Sequence, residues 1–350
     1  MREEHAALLG YDAAPVRAVF RVDASSTIGS GHLSRCLTLA RALVNVGAEV
    51  TFATRAPSEH TRGWIVRERH RIVEVTGDDE AAASRVAAGD AELVIIDGYT
   101  FGTDVHDALR GPARTLCVID DTATSPVHAD VVLNGNLFAE QLSYPHAKRA
   151  LLGPSYALVR EEFSEARGKS DPDERSRRSS RRVLVSMGGA DPAGATEAFL
   201  EALNRDVAEC EVVVIVGGAN PRLATIRAMA SRVTGHRVEV RADVARMSEP
   251  MLWCDVAVVA AGSTCLGLAC LGVPSVVVAV ADNQEPVAAE LVRRGLMRSV
   301  GRFSDGSGRD LVRHLEEILV DSKGRETAAM RQRATVDGRG AWHAAAALVG

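Results

Sequence analysis

The 350-residue sequence lacks three features that would mark a metal-bound, membrane-spanning or nucleic-acid-binding chain. Its six cysteines form no C-x-x-C pair, so we expect reduced, buried thiols rather than a zinc site or a disulfide framework. No stretch approaches the roughly 18 apolar residues that span a bilayer. The formal net charge is -5, so no global basic field is present to hold nucleic acid or an acidic membrane surface.

The composition that is present is that of a globular protein. Hydrophobic residues make up 46% of the chain and charged residues 25%, as in typical soluble domains, and this length suffices for two domains. Residues 1–16 include acidic side chains and have no sustained apolar core, so we expect a flexible leader rather than a signal peptide. The sequence therefore predicts a cytoplasmic protein without a membrane-inserted segment.

Short apolar runs of strand length alternate with segments of helical period along most of the sequence. Apolar runs, rather than strict alternation, are typical of strands covered on both faces and hence of parallel sheets flanked by helices. The pattern predicts an α/β fold of two doubly wound, Rossmann-like domains, at residues 17–163 and 183–350, facing a cleft.

Residues 164–182 interrupt this alternation with a polar, arginine-rich segment. Such a composition cannot bury enough apolar surface to order itself, so we expect an exposed linker between the domains. The arginines could also form a nucleic-acid-binding patch. They are not interleaved with aromatic residues, however, which favours the solvated linker.

A glycine-rich segment, D-A-S-S-T-I-G-S-G-H-L-S-R, follows the first predicted strand and opens the first helix. Gly29 and Gly31 allow a tight turn and a close approach of a ligand, and the helix start offers unpaired N–H groups to an anion. His32 falls in the first helical turn, where an imidazole can act as a base. From these residues alone, a polar helix cap is an equally good interpretation of His32.

Three segments of the second half also follow predicted strands. Ala261-Gly262-Ser263-Thr264 would offer N–H groups and two hydroxyls to a diphosphate, a pattern that ordinary helix N-caps share. Gly188 and Gly189 form a strand-to-helix turn that would leave room for a sugar or nucleotide. Asn283 and Gln284 could bind a polyhydroxylated or acetamido sugar, although helix capping is favoured at this position.

Acidic residues end two strands of the first half. Asp97-Gly98-Tyr99 places a carboxylate and a phenol at one rim, and Asp120-Asp121 adds two more carboxylates. Paired acids at strand ends are compatible with metal binding or acid–base chemistry. No histidine or further carboxylate lies at metal-ligand spacing, so loop capping is the favoured interpretation of Asp120 and Asp121. We therefore expect no metal.

Taken in order, these segments resemble one family, the pseudaminic acid pathway hydrolases that remove UDP from UDP-2,4-diacetamido-2,4,6-trideoxy-β-L-altropyranose. That family is grouped with spore-coat polysaccharide proteins of glycosyltransferase type, and it is similar to the glycosyltransferase MurG. The resemblance extends from about Arg17 to Ala341. It rests on G-x-G-H-x-x-R at 29–35, on the strand ends at 97–99 and 118–121, and on residues 152–158, 185–192, 261–264 and 282–284.

The resemblance implies a GT-B architecture, with a nucleotide sugar in the cleft and UDP held mainly by the second domain. It implies that His32 activates water for attack at the anomeric carbon, which breaks the C–O bond, inverts the configuration and releases UDP without a cofactor. Tyr99 and Asn283 would face the sugar. The implied substrate-binding residues are Gly29, Gly31, Arg35, Tyr99, Gly188, Gly189, Gly262, Ser263, Thr264, Asn283 and Gln284.

One position departs from the family pattern. A Glu that would bond the ribose hydroxyls usually follows the A-G-S-T stretch, whereas this chain has Gly267. Losing such a contact costs on the order of 1.5–3 kcal/mol of the binding free energy of the nucleotide sugar. The identity of the nucleotide therefore stays open. A GT-B glycosyltransferase and a non-catalytic nucleotide-sugar-binding relative are the alternatives. The expected partner is a small-molecule nucleotide sugar, with no nucleic acid, and the chain is expected to be a monomer.

Overall fold

The structure is a computed structural model that describes residues 14–23, 31–178, 181–203 and 208–350. These residues divide into two compact units. The N-terminal unit contains the described residues up to Leu133, together with Ser143–Leu151 and Trp342–Gly350. The C-terminal unit contains Asn134–Leu142 and Leu152–Ala341. Of the predicted leader, residues 1–13 lie outside the described residues, and 14–16 belong to no helix or strand.

A seven-stranded sheet forms the centre of the N-terminal unit. Its strands are β1 (Arg17–Val22), β2 (Glu49–Thr54), β3 (Arg71–Glu74), β4 (Leu93–Asp97), β5 (Thr115–Ile119), β6 (Ala129–Asn134) and β7 (Ala147–Leu152). The order is β3-β2-β1-β4-β5-β6-β7, with β1 to β6 parallel. The helices are α1 (Gly31–Asn45), α2 (Glu59–Arg67), α3 (Glu80–Ala88) and α4 (Thr103–Leu109). Every residue of β4 is buried, because helices cover both faces of a parallel sheet.

A six-stranded, all-parallel sheet forms the centre of the C-terminal unit. Its strands are β8 (Arg182–Ser186), β9 (Glu211–Val216), β10 (Arg237–Ala242), β11 (Val256–Ala260), β12 (Ser275–Ala279) and β13 (Arg298–Arg302), in the order β10-β9-β8-β11-β12-β13. The helices are α5 (Glu161–Arg167), α6 (Pro172–Arg177), α7 (Ala195–Ala202), α8 (Leu223–Ala230), α9 (Ser248–Trp253), α10 (Thr264–Leu271), α11 (Glu285–Arg293), α12 (Ser307–Val320) and α13 (Ser322–Thr335). A further helix, α14 (Gly340–Val349), belongs to the N-terminal unit from Trp342 onward. Single 3-10 turns lie at Ala139–Gln141, Pro154–Tyr156 and Asp282–Gln284.

The strand order reverses once in each sheet, between β1 and β4 and between β8 and β11. Chains that leave the carboxyl ends of two such strands diverge to opposite faces, which opens a crevice suited to a ligand. In the N-terminal unit, His32 follows β1 and Asp97 ends β4. In the C-terminal unit, Gly188 follows β8 and Gly262 follows β11. The sequence-predicted segments therefore lie at the crevice end of each sheet.

The segment expected to be an exposed linker, at 164–182, differs from that expectation over its described residues. It contains the end of α5, all of α6 and the first residue of β8. Arg175 is only 3% exposed, and its guanidinium donates to the carbonyls of Cys254 at 2.9 Å and Gly272 at 3.0 Å. Polar composition alone predicted exposure, but here buried carbonyl oxygens accept the arginine hydrogen bonds.

The unit boundaries also differ from the expected 17–163 and 183–350. Residues 134–142 and 152–163 belong to the C-terminal unit, and 342–350 belong to the N-terminal unit. The chain therefore passes from one unit to the other four times, after residues 133, 142, 151 and 341. A change in composition can indicate one linker, but two units that are connected at several points in the sequence have no single linker.

The first two helices are each followed by a residue with positive φ, a glycine in one case and an arginine in the other. After α1, Gly47 has a φ of 93° and its N–H donates to Val44 O at 3.0 Å. After α2, Arg69 has a φ of 63° and its N–H donates to Val66 O at 2.9 Å. Positive φ is permitted for glycine and costs free energy for a residue with a Cβ. Arg69 therefore holds a position that glycine fits better.

We predict opposite effects of changing these two residues. Gly47→Ala should lower the free energy of unfolding by about 1 kcal/mol, since no atom lies within 4 Å of the added Cβ and only backbone strain changes. Arg69→Gly should raise it by about 0.5 kcal/mol. Urea unfolding of both variants and the wild-type protein measures the two differences, and effects of the same sign would contradict this account.

A buried carboxylate joins the turn at 139–141 to α11. The side chain of Glu290 is 4% exposed and accepts hydrogen bonds from Arg293 at 2.6 and 2.7 Å and from Arg294 at 2.6 Å. It also accepts one from Gln141 at 3.2 Å. These bonds, that from Arg293 above all, lower the pKa of Glu290 to about 2. The ionised form is thus favoured in the folded protein.

The contribution of Glu290 to stability should therefore depend on pH. Because its folded pKa lies below the ordinary value, the stabilisation is present above pH ~4.5 and is lost as the pH falls toward 2. Glu290→Gln should destabilise the protein at pH 6 and have a smaller effect at pH 3, as measured by urea unfolding. Glu326→Gln, at an exposed position of α13, is the control and should show no such difference.

Candidate active site

Two clusters of polar groups lie at the crevice ends of the sheets, one in each unit. The cluster in the N-terminal unit contains His32, Arg35, Asp97, Tyr99 and Asp121, which hydrogen bonds join into one network. The sequence brings them together because α1 follows β1, and the residues after β4 and β5 emerge at the same edge. Of the predicted site residues on this side, Gly29 lies outside the described residues and Gly31 begins α1.

His32 is held by a buried carboxylate. Its Nδ1 lies 2.6 Å from Oδ1 of Asp97, whose side chain has no solvent exposure. A carboxylate oxygen can only accept, so Nδ1 carries the proton and Nε2 is the remaining position of the ring. Burial opposes ionisation of Asp97, but the Arg35 guanidinium and the bond from His32 hold the pKa of Asp97 below its ordinary value. The imidazole is thus fixed in one tautomer by a charged partner.

The side-chain nitrogens of Arg35 donate hydrogen bonds to two carboxylates. Its Nε and Nη2 donate to the two oxygens of Asp97, both at 2.6 Å, and its Nη1 donates to Oδ1 of Asp121 at 2.7 Å. The sequence predicted Arg35 as a substrate-binding residue. The structure gives it two carboxylate partners within its own unit, so its three nitrogens already donate to protein oxygens.

Tyr99 lies at the solvent side of this network. Tyr99 is 65% exposed, and its hydroxyl donates to Oδ2 of Asp121 at 2.6 Å. The phenol ring meets the His32 ring edge-on, with centroids 4.9 Å apart and planes at 83°. Burial of the hydroxyl and the neighbouring Asp121 charge raise the pKa of Tyr99, so the phenol stays a hydrogen-bond donor at neutral pH.

The two adjacent acids after β5 have different roles. Asp120 accepts from the N–H groups of Thr122 at 2.9 Å and Ala123 at 2.7 Å, which is the loop capping that the sequence favoured. Asp121 instead binds Arg35 and Tyr99. Sequence reasoning missed this, and it treated Asp97 as a rim residue rather than as the partner of His32. The available signal was that Asp97 directly follows the apolar run at 93–96, at the end of a predicted strand.

The cluster in the C-terminal unit begins at the glycines after β8. Gly189 O accepts from the N–H of Gly217 at 3.0 Å and from the side-chain amide of Asn220 at 3.2 Å. These bonds fasten the turn after β8 to the turn after β9. Asp191 caps the following helix through the N–H groups of Ala195 and Thr196. Gly188 and Gly189 are exposed, and these hydrogen bonds hold the turn that contains them in place.

The start of α10 offers hydrogen-bond donors. Ser263 is exposed and Thr264 is half-buried, and among the described residues no side chain caps this helix. Oε1 of Gln284 accepts from the N–H of Val280 at 3.0 Å, which orients the amide. Its Nε2 then faces Gly262, at 3.8 Å from where a Cβ would stand. The N–H groups of Gly262, Cys265 and Leu266 donate to backbone carbonyls, and those of Ser263 and Thr264 stand at the helix start. Together with the two hydroxyls and the oriented amide, they suit an anion such as a phosphate.

Asn283, which the sequence placed beside Gln284, lies in the same 3-10 turn at an exposed position. Arg302 at the end of β13 binds both Asp282, at 2.5 Å, and Glu285. These ion pairs tie the two ends of the turn to the neighbouring strand. The structure thus brings Gly262, Ser263, Thr264 and Gln284 to one place and leaves Asn283 at its edge.

Within the described ranges, no group of three or more His, Cys, Asp or Glu residues could hold a metal ion. The helices of that same part of the chain include none with the length and hydrophobicity to cross a membrane.

An aromatic ring occupies the space beside Gly267, the position at which the sequence departs from the family pattern. A Cβ on Gly267 would stand 2.9, 3.0 and 3.1 Å from three atoms of the Phe163 ring. Phe163 comes from α5 and is only 6% exposed. A side chain at 267 would therefore need Phe163 to move, so a carboxylate cannot simply be restored there.

We predict that Gly267→Ala lowers the free energy of unfolding by about 1–3 kcal/mol through overpacking, despite the better helix propensity of Ala. Combining it with Phe163→Leu should cost less than the sum of the two single changes, because the smaller side chain vacates the space. Gly63→Ala is the control. It lies within α2 with no atom within 4 Å of the new Cβ, so it should stabilise the protein.

Comparisons with known proteins agree with the expected class. No family model matches the chain. The solved structure of MurG from Acinetobacter baumannii superposes with a TM-score of 0.71 at 14% identity, over 95% of this chain and 99% of that one. Anabaena HepE in complex with UDP and glucose has a TM-score of 0.61 at 14% identity, over 95% and 98% of the chains. At such identities the likeness establishes the fold, and the GT-B prediction is confirmed.

Sequence relatives narrow the class. Spore coat polysaccharide biosynthesis protein SpsG of Bacillus subtilis is 23% identical over 323 residues, which are 89% of this chain and 91% of that protein. The UDP-2,4-diacetamido-2,4,6-trideoxy-beta-L-altropyranose hydrolase of Campylobacter jejuni is 30% identical over 154 residues, 42% of this chain and 53% of that hydrolase. The predicted resemblance is confirmed: the chain has a GT-B fold and is similar in sequence to a spore-coat polysaccharide protein and to an altropyranose hydrolase.

Proposed function

We propose that this chain is a nucleotide-sugar hydrolase that releases UDP from a UDP-diacetamido-trideoxy-hexose in nonulosonate or surface polysaccharide biosynthesis. The observation that carries the proposal is the 2.6 Å bond between His32 Nδ1 and the buried Asp97, which leaves Nε2 as the ring position for a proton. The similarity to the Campylobacter jejuni hydrolase supports the substrate class.

In this mechanism His32 acts as the general base. Nε2 takes a proton from a water molecule as the water oxygen attacks the anomeric carbon of the sugar. The new C–O bond forms as the bond from that carbon to the diphosphate breaks, so the configuration inverts and the electron pair leaves with UDP. Asp97 is ionised next to Nδ1, so it stabilises the imidazolium that forms and keeps the ring in its orientation.

The leaving group needs donors where its charge grows. We assign the diphosphate to the start of α10, where backbone N–H groups, Ser263, Thr264 and the Gln284 amide can donate to its oxygens. UDP is already a good leaving group, so the protein has to orient water, remove its proton and bind the developing charge. Tyr99 and Asn283 are assigned to the sugar.

The proposal predicts release of UDP from the nucleotide sugar with no acceptor present. His32→Ala should reduce this release by roughly 10²–10⁴-fold, the usual contribution of a general base. Asp97→Asn should also reduce it, because an amide cannot stabilise the imidazolium as a carboxylate does. The measurement is free UDP over time after mixing purified protein with UDP-2,4-diacetamido-2,4,6-trideoxy-hexose. His60→Ala, at an exposed site on α2, is the matched control and should retain full release.

The same assay separates the alternatives. Release that requires an added sugar or lipid acceptor would identify a glycosyltransferase, in which an acceptor hydroxyl replaces water. Binding of the nucleotide sugar without any release would identify a non-catalytic relative. Undiminished release by His32→Ala would reject His32 as the base while leaving the hydrolase assignment in place.

A further inference from the structure

We infer that Arg35 is a positioning residue, which fixes His32 and Tyr99 in one arrangement through two carboxylates, rather than a substrate ligand. This inference rests on the proposed function, because it concerns the residue that would act as base. It changes the role that the sequence suggested for Arg35. The observation behind it is the single guanidinium that binds Asp97 and Asp121 together.

The contact with Asp97 is two-pronged and buried. Nε and Nη2 of Arg35 donate to different oxygens of Asp97, both at 2.6 Å, a fork that only a guanidinium supplies. The carboxylate of Asp97 has no solvent exposure. In addition to His32 and Arg35, the described residues give it one donor, the Cys36 thiol at 3.4 Å. Without Arg35 the carboxylate would hold a buried charge with little compensation.

Helix geometry places Arg35 and His32 on the same oxygen. The two residues are three positions apart on α1, so their side chains leave the same face. Oδ1 of Asp97 accepts from Arg35 Nη2 and from His32 Nδ1, and the two nitrogens lie 3.1 Å apart. Both groups are donors that share one acceptor. Arg35 therefore fixes the carboxylate rotation on which the tautomer of His32 depends.

The other side of the guanidinium reaches Tyr99. Nη1 donates to Oδ1 of Asp121 at 2.7 Å, and the second oxygen of Asp121 accepts from the Tyr99 hydroxyl at 2.6 Å. Tyr99 is 65% exposed, so this bond is what defines where its ring stands against His32. One guanidinium thus sets the positions of the proposed base and of a proposed sugar contact.

The charges explain why a cation is needed here. With a neutral imidazole, the two carboxylates and the guanidinium carry one net negative charge between them. Removing Arg35 takes the guanidinium away from both carboxylates, one of them fully buried. One of the two carboxylates should then take up a proton or change its side-chain conformation. Either change would release His32 from its orientation.

A kinetic experiment tests the inference. Arg35→Ala should lower kcat for UDP release by roughly 10²-fold, as expected when a catalytic group is displaced by about 1 Å, with KM within about threefold of wild type. Guanidinium chloride at tens of millimolar should restore part of kcat, because the free cation can enter the vacated space. Arg41→Ala is the matched control, since Arg41 lies on the same helix but pairs with Glu68 at the surface. This variant should keep the wild-type kcat and KM, and guanidinium chloride should not raise its kcat.

A raised KM with unchanged kcat would make Arg35 a substrate ligand and overturn the inference, as would no effect on either constant. If Arg35→Ala does not fold, as judged by its thermal transition, Arg35→Lys replaces it. Lysine keeps the charge but not the fork, so kcat should fall about tenfold with KM retained. Full activity of Arg35→Lys would contradict a role that depends on the fork.

A spectroscopic measurement separates failure of this inference from failure of the proposed function. The Nδ1 proton of His32 should give a low-field ¹H resonance in the wild-type protein, assigned by its absence in His32→Gln. The resonance should disappear or move upfield in Arg35→Ala and persist in Arg41→Ala. An unchanged resonance in Arg35→Ala would overturn the inference. This outcome needs no turnover, so it stands even if the wild-type protein releases no UDP.

Discussion

The N-terminal unit depends on keeping the carboxylate of Asp97 ionised with no contact with water. An isolated charge in such a place is costly, and it is tolerated when opposite charge and hydrogen bonds surround it. Arg35 supplies the charge and the fork, and His32 supplies a further donor. The polarity of the carboxylate in turn selects the tautomer of the ring. Under the proposed function, a stability requirement of the fold and a requirement of base chemistry are met by the same contacts.

The polar clusters of the two units differ in charge: the N-terminal one contains ionised side chains, and the C-terminal one contains uncharged hydrogen-bond donors. In the N-terminal unit, Arg35 lies between Asp97 and Asp121 and neutralises one of their two negative charges. The start of α10 in the C-terminal unit instead presents uncharged donors, from the backbone, Ser263, Thr264 and Gln284. Under the proposed function, a diphosphate would be bound mainly by dipoles, which need not be neutralised before the ligand arrives. Such a site is already organised in the free protein.

Much of the architecture follows from the sequence, because uninterrupted apolar runs separated by helical periods admit only sheets covered on both faces. Local patterns also located His32 and the 262–264 segment. They could not reveal Asp97 and Asp121 as partners of Arg35, since those contacts join residues 62 and 86 positions apart. Nor could composition reveal that Arg175 is buried, because its acceptors are carbonyls at the ends of two helices that are distant in sequence. Side-chain packing of Phe163 against Gly267 is equally invisible in a linear pattern.

The segment 342–350 has a consequence for any attempt to divide the molecule. Trp342–Gly350 are part of the N-terminal unit, where the carbonyl of Ala347 accepts a hydrogen bond from Arg149. The N-terminal unit therefore contains segments that lie on both sides of the C-terminal unit in the sequence. Cutting one peptide bond cannot separate the two units with all their segments, so an isolated N-terminal unit would need pieces that are distant in sequence to be joined.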